Sequence, residues 1–339
     1  MQQPPINATT LCLQSRDIAA MLRRVMYKLS KEESAALQQG HLICLRSEYA
    51  IIKASGATVT GYLQGQITQD MSRLTESQGI YSAILTPQGK TVSDLHIISG
   101  HNGELIMIAR KDYAEALVSR LRQFSLGHEL RVGIVGSLKL ISIQGNRCDD
   151  FLHNLDLRSP AESSLSTGST TDREAFTMRM PEAAESGVWV VTSDAEALLE
   201  RSSHLVDEST IHAARILKGV PTYGVDWNEK VFPLNANLTE FDGVSFDKGC
   251  YVGQEVTSRM QWRGGIKKRL YRVQLESYPG ALPCPLSTTV EIGMVTSAAM
   301  TGDGEVYGIA HLPIELVENR TPLIDPEGDS VSVIEACHV

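Results

Sequence analysis

The sequence is poor in closely spaced cysteines, in long apolar runs and in excess positive charge. Its six cysteines never form a CxxC or CxxxC pattern, which excludes a local zinc or iron–sulfur ligand set. No apolar run approaches the ~18 residues that span a bilayer, so a membrane protein is not expected. The 31 basic and 40 acidic residues give a net charge of −9. That charge argues against binding nucleic acid through the phosphates alone.

Common catalytic and targeting signatures are absent as well. The chain has no GxxxxGK[ST], no GxGxxG after a strand, no HExxH and no GxSxG. The nine histidines are scattered, and His96, His204 and His212 are expected to be ordinary surface or helix residues. The first forty residues lack the apolar core and cleavage site of a secretory signal, which favours a reducing bacterial cytoplasm. The arginines near the start, with few acids, leave the mitochondrial matrix as the alternative (Arg16, Arg23 and Arg24).

Length and periodicity predict more than one domain. A chain of 339 residues with 42% hydrophobic and 21% charged residues is typical of a globular protein of two or three domains. Residues 1–41 carry no strong period and are predicted to be an N-terminal extension or a loosely attached helix. From residue 267 to 339, short alternating strands separated by Gly and Pro predict a small β-barrel.

Between these ends the chain contains a degenerate internal repeat. A strand at 50–54 is followed by the order helix, strand, strand, strand, helix, and a new strand at 138–143 starts the order again. Gly56 and Gly145 each stand six residues before an aromatic–leucine pair, so the two copies are offset by 89 residues. The repeat predicts an α+β fold for 42–266, in two units of about 42–136 and 137–266 packed about a pseudo-twofold axis.

Two segments outside the repeated strands have their own signals. The Ser- and Thr-rich stretch 159–171 is predicted to be a surface loop. Residues 207–218 are predicted to form a helix, because Gly219 follows at the position where helices commonly end and Pro221 lies just beyond.

The most unusual segment is 246–255, with the sequence FDKGCYVGQE. Its two glycines predict a backbone that needs positive φ or close approach to another group. The charge of Lys248 could stabilise a thiolate at Cys250, and the thiolate is the reactive form. Gln254 and Glu255 offer donors and acceptors suited to the amide edge of a heteroaromatic ring. The alternative is a buried, inert cysteine in a glycine-rich turn between domains.

A basic run follows directly. Residues 256–275 contain six cations and no acid (Arg259, Arg263, Lys267, Lys268, Arg269 and Arg272). In a chain of net negative charge, this local excess of positive charge favours a carboxylate- or phosphate-bearing ligand, because arginine binds such groups bidentately. Trp262 within the run also suits single-stranded nucleic acid, and a solvated linker strand is the remaining alternative.

Residues 248–255, KGCYVGQE, resemble the signature KGC[FY]xGQE of the YgfZ family. These folate-binding proteins act in iron–sulfur cluster assembly and repair and are related to the aminomethyltransferase (T protein) of the glycine cleavage system. The segment 62–70, YLQGQITQD, is similar to the family's YLQGQxTxD. Residues 87–90 match its glycine–lysine turn and 263–269 match its basic tail. The resemblance covers the chain from about residue 42 to its end.

The resemblance implies a three-domain ring with a tetrahydrofolate-type ligand in its central opening. By similarity, the Cys250 thiol borders that opening and is needed for activity, and Lys248 is the family's lysine. The remaining motif positions are Gly249, Tyr251, Gly253, Gln254 and Glu255. Candidate folate contacts are Gln66, Asp94, Tyr223, Arg259 and Arg263, with the two arginines meeting the glutamate tail. No metal site is implied.

Two departures bear on activity. The transferases carry the motif RxExG, in which the glutamate binds the pterin; in the corresponding residues 215–219 of this chain, Leu217 stands at that position. The transferases also carry a pair of acids, and the corresponding residues here are Ser93 and Asp94. The resemblance therefore favours an accessory protein that supports [4Fe–4S] enzymes, including tRNA-modifying ones. A folate-dependent aminomethyl- or methyltransferase is the alternative, so enzyme activity stays open. The implied partners are folate and iron–sulfur client or assembly proteins; a membrane is not implied, and direct nucleic-acid binding at Trp262 ranks last.

Overall fold

The computed structural model describes residues 26–170, 174–287 and 291–338. The arginine-rich start and the predicted extension as far as residue 25 lie outside these ranges. The helices are Lys31–Gln39 (α1), Val59–Gln64 (α2), Lys111–Gln123 (α3), Cys148–Asn154 (α4), Ala195–Glu200 (α5), Glu208–Lys218 (α6), Gln254–Trp262 (α7) and Ile314–Glu318 (α8). Short 3₁₀ helices cover Met71–Arg73, His101–Gly103 and Pro233–Ala236.

The strands of these ranges fall into three sheets. They are Tyr27–Lys28 (β1), Leu42–Leu45 (β2), Tyr49–Ser55 (β3), Ile80–Leu85 (β4), Thr91–Ser99 (β5), Leu105–Arg110 (β6), Arg131–Ile134 (β7), Lys139–Gln144 (β8), Thr167–Thr170 (β9), Ala175–Arg179 (β10), Gly187–Thr192 (β11), Lys268–Leu275 (β12), Cys284–Ser287 (β13), Glu291–Met300 (β14), Val306–Pro313 (β15), Leu323–Ile324 (β16) and Ser330–Ala336 (β17).

Two five-stranded sheets confirm the internal repeat. The first has the order β4-β5-β6-β3-β7 and the second the order β9-β10-β11-β8-β2, so β2 occupies in one the position that β7 occupies in the other. Gly56 and Gly145 have nearly the same backbone angle, φ of 133° and 132°. A Cβ at Gly56 would lie 2.0 Å from the carbonyl oxygen of Glu129. Glycine is therefore required at this point of the repeat.

The repeat contains a strand exchange that the sequence did not reveal. Strand β2 precedes β3 along the chain but pairs with β8, where Ile43 faces Ile143. Strand β7 precedes β8 but pairs with β3, where Val132 faces Ala54. Each unit thus receives its edge strand from the segment just before the other unit. The exchange joins the two units through main-chain hydrogen bonds.

The predicted C-terminal barrel is confirmed. Strands β12 to β17 form one sheet that closes through the pairing of β14 with β15. Strand β1 adds to it in parallel, with Tyr27 beside Ala299. Helix α1 begins in a capping box between Ser30 and Glu33, and its Leu37 is buried. Residues 27–39 of the predicted extension are therefore packed against the body of the protein.

Local predictions had mixed outcomes. Helix α6 is confirmed, with Asp207 at its N-cap and Gly219 in the left-handed region at its end. The predicted loop 159–171 contains strand β9, which pairs with β10. The first part of the basic run is helix α7 and not a linker strand. Because only Thr257 and Met260 of this helix are buried, its sequence shows little apolar period.

Candidate functional site

The cysteine motif 248–255 lies on the motif 62–70. The Lys248 ammonium is buried and donates hydrogen bonds of 2.8 Å to the carbonyl oxygens of both Ile67 and Gln69. The Val252 amide donates to the carbonyl of Gly65 at 3.2 Å. Burial lowers the pKa of Lys248 to about 8. The two motifs, which are about 180 residues apart in sequence, thus form one hydrogen-bonded surface.

The third motif, the turn 87–90, packs against the same loop. Gly253 has a φ of 86°, and a Cβ there would lie 2.7 Å from the carbonyl oxygen of Thr86. Gly89 has a φ of 75°, and its Cβ would lie 2.8 Å from the Cβ of Val256. The special backbone predicted for the motif is therefore present at Gly253. A Cβ at Gly249 would meet nothing within 4 Å.

Cys250 is presented to solvent by this loop. Of the five cysteines in the described ranges, it alone is exposed. Burial raises the pKa of the other four thiols, to about 12 for Cys44 and to about 11 for Cys284. The ammonium of Lys248 is directed at main-chain carbonyls. Its observed contacts therefore fix the loop, and they do not include the thiol.

A cavity between the two α+β units and the barrel has a volume of about 810 Å³. Its wall combines residues of the first sheet (Asp94), the second unit (Glu182 and Trp189), the end of α6 (Leu217) and the barrel (Arg272). This volume is within the range of ~300–1,000 Å³ that is usual for small-molecule sites. Cys250 does not line the cavity. The Cys250 sulfur is exposed but not on this cavity, and the expectation that it borders a central ligand opening stays a prediction.

A row of rings forms one wall of the cavity. The Tyr81 hydroxyl donates to Oδ2 of Asp94 at 2.8 Å. The Tyr81 ring stacks on His96 with centroids 4.7 Å apart, and His96 meets Trp189 edge to face at 5.0 Å. Burial raises the pKa of Asp94 to about 6 and lowers that of His96 to about 3. The wall therefore carries a neutral imidazole beside a carboxyl group that ionises near neutral pH.

Behind this wall lies a buried group of charges. Arg46 is 1% exposed and pairs with Glu48 and Glu182. Arg110 also pairs with Glu48, at 2.8 Å. The His212 ring lies 2.7 Å from Glu48, and these partners hold the pKa of Glu48 well below its usual range. Two cations thus balance two carboxylates. Asp94 forms no ion pair with any described residue.

Only one of the five candidate folate contacts lies on the cavity. Asp94 lines it, whereas Gln66, Tyr223, Arg259 and Arg263 do not. Tyr223 is fully buried, and its hydroxyl donates to the carbonyl of Val92 at 3.1 Å. Tyr223 therefore acts in packing.

The two arginines of the basic run are on the outer surface. Arg259, in helix α7, forms an exposed ion pair of 2.5 Å with Glu255. Arg263 is exposed just after that helix ends, and Trp262 is 71% exposed. Neither arginine lines the cavity, and their predicted contact with the glutamate tail of a folate stays a prediction. Gln66 is half-buried beside the cysteine motif.

Two residues of the cavity wall, His96 and Glu182, were missed in the sequence. His96 was expected to be an ordinary residue, but it is buried against Tyr81 and Trp189. Glu182 follows a proline in a segment with no motif, so nothing local marked it. The alternation of Asp94 and His96 along β5 was the one usable signal, because residues two apart share a face of a strand.

Within the described ranges, no group of three or more His, Cys, Asp or Glu residues is arranged to hold a metal ion. No described helix has the length and hydrophobicity needed to cross a membrane.

Comparison with known proteins gave one consistent picture. No protein-family model matches the chain. It is 30% identical over 237 residues to "tRNA-modifying protein YgfZ" of Hamiltonella defensa subsp. Acyrthosiphon pisum (strain 5AT), with 68% of each chain covered. The protein of the same name from Sodalis glossinidius (strain morsitans) is 26% identical over 294 residues, which are 85% of this chain and 89% of that one.

Among solved structures, the chain is similar to glycine cleavage system aminomethyltransferase T from Bartonella henselae. The TM-score is 0.77 at 19% identity, with 91% of this chain and 88% of the other covered. At this identity the likeness shows the fold alone. The predicted fold, two α+β units with a C-terminal β-barrel, is therefore confirmed as aminomethyltransferase-like.

Proposed function

The chain belongs to the YgfZ family, and we propose on that basis that it is a folate-binding accessory protein for the assembly or repair of iron–sulfur clusters. Its clients would be [4Fe–4S] enzymes, including tRNA-modifying ones, in agreement with the name of its relatives. Its partners would be these enzymes or other assembly proteins. It would act in the bacterial cytoplasm, with the mitochondrial matrix as the alternative.

The observation that carries this proposal is the presentation of Cys250. An exposed thiol can reach a partner protein or a cluster, whereas the four buried thiols cannot. Lys248 and Gly253 hold the loop in place through two carbonyl bonds and one close backbone contact. A thiol held by a fixed loop loses little conformational freedom when it meets its partner.

The cavity suits a reduced folate. Its flat rings can stack against a pterin, and the oxygens of Asp94 can accept hydrogen bonds from pterin N–H groups. A bound tetrahydrofolate would supply a carrier for a one-carbon unit. Tyr81 orients the Asp94 carboxylate, while His96 and Trp189 exclude water from that wall. Because Cys250 does not line the cavity, we expect folate binding and thiol chemistry to be separable.

The test combines binding with complementation. Tetrahydrofolate binding is measured calorimetrically for the wild type, Cys250→Ala and Cys250→Ser. The same variants are tested for iron–sulfur enzyme activity in a strain that lacks the gene. We expect wild-type affinity and no complementation from both cysteine variants. Asp247→Asn, a change at an exposed neighbour in the same loop, is the control and should complement.

Two results would contradict the proposal. Wild-type protein that does not bind tetrahydrofolate removes the folate role. Full complementation by Cys250→Ala removes the thiol from the mechanism.

A folate-dependent aminomethyltransferase is the second candidate. The fold favours it, and Asp94 is the carboxylate that would remain for it in the cavity. Leu217, which also lines the cavity, argues against it because leucine cannot accept a pterin N–H. Folate-dependent turnover of an aminomethyl donor, lost in Asp94→Asn, would establish the transferase. No turnover with a range of donors would exclude it.

A further inference from the structure

The cavity is lined by four acidic residues that divide into two pairs. Glu185 and Glu335 are exposed, and Glu335 pairs with the cavity-lining Arg272 at 3.3 Å. Asp94 and Glu182 lie deeper in the wall, and Glu182 is 4% exposed. A buried carboxylate is costly unless its oxygens have partners. The two inner acids therefore need a physical explanation.

Glu182 is held through one of its two oxygens. Oε1 accepts hydrogen bonds from Arg46, from the Ser142 hydroxyl at 2.7 Å and from Nε1 of Trp189 at 2.8 Å. Oε2 has no partner among the described residues, and it is not among the buried unpartnered atoms. Since Glu182 lines the cavity, the accessible acceptor of this fixed carboxylate is Oε2.

Asp94 shows the same division. Its Oδ2 accepts the Tyr81 hydroxyl, while no side chain of the described residues bonds Oδ1, which is likewise not among the buried unpartnered atoms. The ring row Tyr81, His96 and Trp189 runs from one carboxylate to the other, because Tyr81 bonds Asp94 and Trp189 bonds Glu182. The wall thus carries a packed row of rings, of which Tyr81 is the partly exposed one, with a fixed acceptor at each end.

We propose that Glu182 is a second ligand-binding carboxylate of the cavity, and that with Asp94 it selects a flat heteroaromatic ligand that carries N–H donors on separate edges. Leu217 lines the same cavity but cannot accept a hydrogen bond through its side chain. The N–H donors of the ligand must therefore be bound by other residues of the cavity. A reduced pterin has such edges. The choice of tetrahydrofolate as the probe rests on the function proposed above.

A purely structural role for Glu182 makes a different prediction. Arg46 would still have Glu48 as a partner, at 2.6 Å, after Glu182 is replaced. In a structural role, Glu182 would only balance the charge of Arg46 behind the wall. In that case its replacement would change the stability of the protein and not its affinity for ligand. Affinity and stability must therefore be measured on the same variants.

The experiment compares tetrahydrofolate affinity, by calorimetry, for the wild type, Glu182→Gln, Glu182→Asp and the control Glu196→Gln. Glu182→Gln keeps an acceptor for Ser142 and Trp189 but removes the charge. Glu182→Asp keeps the charge beside Arg46 but withdraws the oxygens from the cavity. We expect both to weaken binding about tenfold to a hundredfold, the usual effect of losing one hydrogen bond to a charged group. Glu196→Gln, at an exposed position of helix α5 that does not line the cavity, should bind as the wild type does.

Urea unfolding of each variant separates binding from folding. If Glu182→Gln does not fold, Glu182→Asp alone decides the question. Wild-type affinity in a folded Glu182 variant, or equal losses in Glu182→Gln and Glu196→Gln, would overturn the inference while leaving the proposed function intact. Absence of binding by the wild type would instead refute folate binding itself, and Glu182 would then have no ligand to select.

Discussion

Gly243 lies against the ring of Tyr81, so that a Cβ at Gly243 would be 3.1 Å from Cδ1 of the tyrosine. The carbonyl of Gly243 accepts a hydrogen bond from the Thr68 hydroxyl at 2.6 Å. The carbonyl of the neighbouring Ile67 accepts a hydrogen bond from the Lys248 ammonium. Tyr81 in turn holds Asp94 in the cavity. A continuous set of contacts therefore links the cysteine loop to the cavity wall, although Cys250 itself does not line that cavity.

The two glycines of the cysteine motif should respond differently to alanine. Gly253→Ala forces a Cβ to within 2.7 Å of the Thr86 carbonyl at a φ of 86°, whereas Gly249→Ala meets nothing within 4 Å. We expect Gly253→Ala to lower the free energy of unfolding by about 1–3 kcal/mol and Gly249→Ala to change it by less than about 0.5 kcal/mol. Urea titration of both variants measures this. Equal effects would show that the loop is not held at Gly253.

Lys248 should contribute to stability through its two carbonyl bonds. Lys248→Met leaves the Ile67 and Gln69 carbonyls without this donor, and we expect a loss of about 2–4 kcal/mol. Lys267→Met, at an exposed position of the basic run, is the matched control and should be neutral. If Lys248→Met unfolds at the same urea concentration as the wild type, the two carbonyl bonds do not stabilise the folded protein.

The repeat was predictable from sequence because its markers are local. Gly56 and Gly145 must each adopt a backbone that other residues avoid, and this need is visible in one chain. The exchange of β2 and β7 was not predictable, because the pairing of Ile43 with Ile143 depends on contacts 100 residues apart. A short apolar strand has no local feature that selects one partner strand over another.

The residues of the candidate site also divide into those that a local sequence signal marks and those that depend on distant contacts. A contiguous sequence motif made it possible to predict Cys250, Lys248 and Gly253. Asp94 was predicted because it stands in a second motif. Glu182 was missed because the groups that fix it, Arg46 and Trp189, come from other segments. Arg259 was predicted as a folate contact from its charge, and charge alone does not tell which side of a helix faces a cavity.

Buried and exposed ion pairs should differ sharply in their effect on stability. Arg215 and Asp226 are 1% and 0% exposed and join helix α6 to the segment before the barrel at 2.8 Å. Thr296 of the barrel also donates to Asp226, at 3.0 Å. Arg215→Met leaves a buried carboxylate without its cation, and we expect a loss of about 3–5 kcal/mol.

The exposed pair of Arg259 with Glu255 supplies the control. Its side chains are 63% and 78% exposed, so Arg259→Met should cost no more than about 0.5 kcal/mol. Both variants are compared by thermal and urea unfolding at one ionic strength. Similar losses in the two variants would mean that Arg215 does not hold the domains together.

Asp94 should make the stability of the protein depend on pH. Burial raises its pKa to about 6, above the ~3.9 of an unfolded chain, so the folded state binds the Asp94 proton more tightly. Stability from this group is therefore present below about pH 4 and is lost as pH rises to about 6. Asp94→Asn cannot titrate. Relative to that variant, the wild type should lose up to about 3 kcal/mol across this range.

The measurement is urea unfolding of the wild type and Asp94→Asn at pH 4, 5, 6 and 7.5. Subtracting the variant cancels the titration of groups common to both proteins. The asparagine oxygen can still accept the Tyr81 hydroxyl, so that the difference reports the charge of Asp94 and not a lost contact. Ligand affinity should move in the opposite direction, rising between pH 5 and 7 in the wild type only, since the ionised carboxylate is the stronger acceptor. A pH-independent difference in stability would mean that Asp94 is hydrated in the cavity and ionised throughout this range.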